Sequence, residues 1–143
     1  MKESEPSLRL HRYLTLSFAL VTALVSMSDA SAQECKPNDV SDPCVEQATQ
    51  REYERADRDL NAIYSQVLRK VSVPKTEYVD YPALKVKLAE AQRQWIRFRD
   101  SECDAWYKVN EAGTGRNAFQ SNCLTQRTAD RTRELKAWLE YLP

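Results

Sequence analysis

The sequence has a single histidine, His11, and it sits in an N-terminal segment that reads as a removable leader. Without imidazole there is no Ser-His or Cys-His dyad and no histidine ligand for a metal. Glycine is almost absent too. The only two, Gly113 and Gly115, lie in "AGTGRN", which lacks the preceding strand and further glycines of a phosphate-binding loop and is simply a helix connection. An excess of either charge is also missing. The 21 basic residues balance the 21 acidic ones, and the leader removes three of each, so binding to nucleic acid or to an anionic membrane surface has no electrostatic basis. Nor is there a full membrane span. The longest apolar run, "YLTLSFALVTALVSM" (13–27), has fifteen residues, where a spanning helix needs about twenty.

What is there begins with that run. A polar n-region precedes it and Ala30-Ser31-Ala32 follows it, so residues 1–32 read as a secretory signal peptide cut after Ala32. The mature chain is then Gln33–Pro143, 111 residues, enough for one domain, with no membrane insertion once the leader is gone. Export to an oxidising compartment, periplasmic or extracellular, makes disulfides the expected state of Cys35, Cys44, Cys103 and Cys123. Their spacings of 9, 59 and 20 do not suit a four-cysteine zinc site, whose ligands come in close pairs. No cofactor is implied.

The mature chain opens with an irregular polar lead-in, "QECKPNDVSDP" (33–43), and residues 44–143 form the domain proper. Thr49, Tyr53, Ala56, Leu60, Ile63, Tyr64, Val67 and Val71 recur at helical spacing. Leu84, Leu88, Ala91, Trp95 and Phe98 make a second stripe, and Leu124, Thr128, Arg131, Leu135 and Trp138 a third. The spacing predicts helices over about 44–71, 83–111 and 117–140, an all-α antiparallel three-helix bundle stapled by disulfides. Cys103 and Cys123 each lie ten residues from Gly113, which sets them side by side in a helical hairpin. Pairing them leaves Cys35 with Cys44, although four cysteines allow three connectivities.

Several charges fall on or beside these apolar stripes. Glu102 lies within the second stripe and Arg99 at its edge, Arg131 lies within the third, and Asp57 and Asn61 flank the first. Partly buried charges need partners, so these residues are expected to form a paired network that fixes helix register. A general acid and base pair is the rival reading, and no pocket in the pattern supports it. Trp95 is placed to stack on a guanidinium. Trp106, Tyr53, Tyr64 and Tyr107 read as packing residues. The proline-bounded loop "SVPKTEYVDYP" and the glycine turn are the candidate partner-binding loops, through Lys75, Tyr78 and Tyr81 in the first and Thr114 and Arg116 in the second.

Three blocks carry a resemblance: "ADRDLNAIY" (56–64), "AQRQWIRFRDSEC" (91–103) and "CLTQRTADRTREL" (123–135). Together they resemble the lysozyme-inhibitor LprI-like N-terminal domain, a family of small exported helical domains. The specific element is Ala91-Gln92-Arg93 with Trp95, followed by Arg99-Asp100 and Cys103. Many members carry a cysteine where this chain has Ala48, and here Cys44 sits one turn earlier. The resemblance implies a non-enzymatic binding protein whose partner is a lysozyme. A structural or adaptor module of the cell envelope is the alternative, and the oligomeric state is open.

Overall fold

The structure is a computed structural model that describes residues 35–143. The expected leader, His11 and the cleavage site lie outside the described residues. Three helices make up the domain: α1 (Asp42–Lys70), α2 (Tyr81–Val109) and α3 (Arg116–Tyr141), with no strand among the described residues.

The lead-in is folded by local chemistry. Asp39 N–H donates to the Lys36 carbonyl at 3.1 Å, closing a turn with Pro37 and Asn38 at its centre. Asn38 has φ 65°, a left-handed conformation that asparagine tolerates better than most side chains, and Pro37 pre-sets the position before it. Asp39 Oδ1 then accepts from the Ser41 N–H at 2.9 Å, and the Ser41 hydroxyl first, then this N–H, hold the Asp39 carboxyl below its ordinary pKa. Pro43 sits in the first turn of α1, where its missing N–H costs nothing. The Cys35–Cys44 bridge ties the lead-in to that turn.

Contacts along the chain give the topology. Glu46 meets Asn117, Gln50 meets Ser121, and Lys70 Nζ donates to the Leu142 carbonyl at 3.0 Å, so α1 and α3 run parallel. Cys103 is bonded to Cys123, Asp104 meets Gln120, and Gln92 meets Arg131, so α2 runs antiparallel to α3. The order is up, down, up. α3 packs on both other helices, and α1 and α2 make little direct contact.

The two ends of the bundle differ in composition. Leu60, Val67, Val71, Tyr81, Leu88, Leu135 and Leu142 form the apolar core, which occupies the end holding the α1–α2 loop. At the other end the buried positions are small or polar: Thr49, Cys103, Ala118 and Ser121. Both disulfides lie at this poorer end. Covalent bonds there stand in for the apolar burial that the large side chains supply opposite.

The α2 stripe is rotated from the expected one. Phe98, expected to face inward, is 58% exposed, and Ala91 is exposed as well, while Gln92 and Arg99 are buried. α2 packs mainly on α3 and meets α1 only sparsely, so its inward face is narrow, and long side chains fill it with their aliphatic and amide parts. Trp106, read from sequence as a packing residue, is likewise 50% exposed.

Candidate functional site

Arg99 is the most connected side chain of the charged layer. Its guanidinium is buried and bonds Asp100 Oδ1 from Nε at 2.8 Å and from Nη2 at 2.7 Å. Nη1 lies 3.6 Å from Asp57 Oδ1 on α1 and donates to the Thr128 hydroxyl on α3 at 3.3 Å. Two aromatic rings flank it, Tyr53 at 5.5 Å and Trp95 at 5.1 Å from their centroids. Asn61 donates to Asp57 Oδ2 at 2.9 Å and so orients that carboxylate. Burial pushes the Tyr53 phenol above its ordinary pKa, and the neighbouring Arg99 charge works against this.

Asp57, Asn61 and Arg99 are thus brought together, and two other expected members take different partners. Arg131 reaches the cluster only through Trp95, whose ring lies 5.8 Å from its guanidinium. Its hydrogen bonds go to Gln92 Oε1 at 3.1 Å and to the exposed Glu134 at 2.7 Å. Glu102 pairs with Arg127 of α3 rather than with Arg99 or Arg131, and its Oε2 is buried with no partner. At 100° per residue, Glu102 sits about 60° round α2 from Arg99, on the flank that meets Arg127. No group of acidic or cysteine side chains among the described residues is arranged to hold a metal ion.

The binding-loop candidates divide in the same way. Tyr81 is buried in the apolar core, because α2 begins two residues before the expected Ala83 and so turns Tyr81 inward. That early start comes from Asp80, whose Oδ1 accepts the Ala83 N–H at 3.0 Å. Arg116 is held in its own turn by Tyr107 Oη at 3.1 Å and the Gly113 carbonyl at 3.2 Å, and Thr114 beside it is exposed. The loop after α1 is the better-formed projection. Thr76 N–H donates to the Val79 carbonyl at 2.9 Å, Val79 N–H returns a bond to Thr76 Oγ1 at 3.0 Å, and Lys75 pairs with Asp80 at 3.3 Å. Tyr78 stands within this hydrogen-bonded arch and is 88% exposed.

Asp80 also gives the loop a pH dependence. The Ala83 N–H bond first, then Lys75, lower its carboxyl below the ordinary value of 3.8. A lowered folded-state pKa means that the stabilisation is present above the ordinary value and is lost as pH falls through the lowered one. Asp80→Ala is expected to lower the melting temperature at neutral pH, with the gap to wild type closing below about pH 3. Thermal melts across pH check this, and a gap that persists in acid would show that the cap is not the source.

A second exposed feature lies at the disulfide end. Trp106 of α2 and Phe119, Asn122, Gln126 and Arg127 of α3 line a groove of about 340 Å³ over Cys123. Trp106 reads from sequence as a packing residue, and nothing in the pattern marked the groove.

Comparison with known proteins places the chain among relatives. The family model described as lysozyme inhibitor LprI matches residues 32–135. An uncharacterized protein of Rhizobium meliloti is 30% identical over 129 residues, covering 85% of this chain and 93% of the relative. The uncharacterized protein YecT of Escherichia coli is 26% identical over 134 residues, covering 85% of this chain and 82% of the relative. No solved structure matches the chain.

Proposed function

Because the chain belongs to the lysozyme inhibitor LprI family, we propose that it is an exported binding protein that inhibits a lysozyme and so protects the cell wall, with the 72–80 loop as its inhibitory projection. The observation that carries the choice of surface is Tyr78, held out on an arch closed by the Thr76–Val79 bonds and based on the capped start of α2. A lysozyme presents a sugar-binding cleft walled by apolar groups and two carboxylates. A tyrosine enters such a cleft with a large apolar area, two rotatable bonds and a hydroxyl for hydrogen bonding. Lys75 lies beside it, 68% exposed, and is able to exchange Asp80 for a carboxylate of the enzyme. The loop's pre-formed bonds lower the ordering cost of binding.

Export after cleavage at Ala32, into the periplasm or beyond, is part of this reading. Two disulfides with no free cysteine among the described residues support it, because such bonds persist in oxidising compartments. No helix among the described residues is long and apolar enough to cross a membrane. Mass spectrometry of the exported protein is expected to give an N-terminus at Gln33 and no alkylatable thiol.

Titration of the oxidised protein into lysozymes of several types, followed by lysis of cell-wall suspensions, tests the inhibition. One type is expected to be inhibited stoichiometrically. Tyr78→Ala is expected to weaken that inhibition about tenfold or more while shifting stability by less than about 0.5 kcal/mol. Inhibition unaffected by Tyr78→Ala would move the interface elsewhere on the bundle. No inhibition of any lysozyme would leave the chain as an envelope adaptor.

A further inference from the structure

We propose that the groove between α2 and α3 is a binding site for an acetamido-bearing saccharide, the chemistry of cell-wall glycan and of N-acetylglucosamine polymers. Its walls are aromatic, with Trp106 and Phe119 each about half exposed, at 50% and 49%. Its remaining lining is planar and polar: the Asn122 and Gln126 amides and the Arg127 guanidinium. Sugar rings are amphipathic in the same sense. Their C–H faces lie against aromatic rings, and their hydroxyl and acetamido groups need partners that both donate and accept, as primary amides do.

The polar groups are free to serve. Neither the Asn122 nor the Gln126 side chain hydrogen-bonds another protein group among the described residues, and the Trp106 indole N–H has no acceptor there. Arg127 is anchored from behind by Glu102, which takes one corner of the guanidinium and leaves its other N–H groups unengaged. That ion pair also cancels the charge, so the groove favours a polar neutral ring over a small anion. Asn122, Gln126 and Arg127 lie three, seven and eight residues along α3 from Phe119, so one helix face presents all four together. The Cys103–Cys123 bridge fixes that face against α2 and with it the position of Trp106. A volume of about 340 Å³ is at the lower bound of small-molecule sites, roughly 300–1,000 Å³, and fits a mono- or disaccharide unit of a longer chain. No carboxylate, thiol or other nucleophile lines the groove, so the site holds a glycan without cleaving it.

This site lies at the opposite end of the bundle from the 72–80 loop, and it would keep the protein on wall polymer while the loop remains available to another protein. It does not rest on lysozyme inhibition, and its assay contains no lysozyme, so either reading can fail alone. The test is a titration of the oxidised protein with N-acetylglucosamine trisaccharide, followed by nuclear magnetic resonance at the Trp106 indole N–H. Saturable shifts are expected there and at Asn122 and Gln126. Cellotriose, with the same rings and no acetamido groups, is expected to bind about tenfold more weakly, as is the trisaccharide to Trp106→Ala or Gln126→Ala. Absence of shifts at millimolar sugar, equal binding of cellotriose, or unchanged affinity in a folded Trp106→Ala protein would each overturn the proposal. A wall-derived disaccharide with a lactyl carboxylate forms the second arm. Tighter binding of it than of the trisaccharide, lost in Arg127→Gln, assigns the site to wall glycan, and the reverse order assigns it to neutral N-acetylglucosamine polymers.

Discussion

Replacing both Cys103 and Cys123 by alanine is expected to lower the stability of the oxidised domain by about 3 kcal/mol. The closed loop has a sequence separation of 20, and the entropy removed from the unfolded chain by a loop of that length corresponds to about 3 kcal/mol. The native state supplies little to replace it. At this end of the bundle the buried neighbours are Thr49, Ala118 and Ser121, which bury little apolar area compared with Leu60, Leu88 and Leu135 at the other. The Cys35–Cys44 bridge closes a shorter loop, with a separation of 9, and fastens the lead-in rather than two long helices. Its removal is expected to cost less and to fray the start of α1 without loosening α2 from α3. Chemical denaturation of the two double mutants checks the order. If the Cys103/Cys123 pair proved the cheaper one to lose, the polar end would have to be held together by its side-chain bonds instead.

The long elements were legible in the sequence because each carries a repeating apolar face. Leu60 and Val67 on α1, Val71 just after it and Leu135 on α3 lie where helical spacing puts them, and the glycine pair marks the turn between α2 and α3. What escaped was the rotation of α2. Periodicity counts a phenylalanine as inward and an arginine as outward, yet Phe98 is exposed and Arg99 buried. A stripe says that a helix has a face. Which neighbours it meets is settled by the parallel pairing of α1 with α3, a long-range fact with no local signature. The start of α2 escaped for a smaller reason. Asp80 caps the helix and turns Tyr81 into its first residue, so an aromatic that reads as a loop anchor becomes part of the core. The charged layer was half legible: a partly buried charge demands a partner, but the demand does not choose between Asp57, Glu134 and Arg127 as the side chains that answer it.

Arg99→Ala is expected to destabilise the domain by about 2–3 kcal/mol, more than any other single charge removal in the protein. α1 and α2 make little direct contact, and Arg99 spans the gap between them. One guanidinium touches Tyr53 and Asp57 on α1, Trp95 and Asp100 on α2, and Thr128 on α3. The carboxylates contribute the smaller part of the loss, because the side chains of Asp57 and Asp100 are 40% and 52% exposed and rehydrate readily when the arginine is gone. The larger part is the buried guanidinium itself: the stacking on two rings, the void left between them, and the fully buried Thr128 hydroxyl deprived of its donor. Arg131→Ala is expected to cost about half as much, since its carboxylate partner Glu134 is exposed and its remaining ties are Gln92 and one face of Trp95. Arg99→Lys separates charge from shape. An ammonium keeps the attraction to Asp57 and Asp100 but has no planar group to lie between Tyr53 and Trp95. If packing dominates, lysine recovers less than half of the loss, and added salt changes the Arg99→Ala penalty little. Full recovery by lysine, or a penalty that vanishes at high salt, would show that ion pairing rather than the stacked guanidinium joins the three helices.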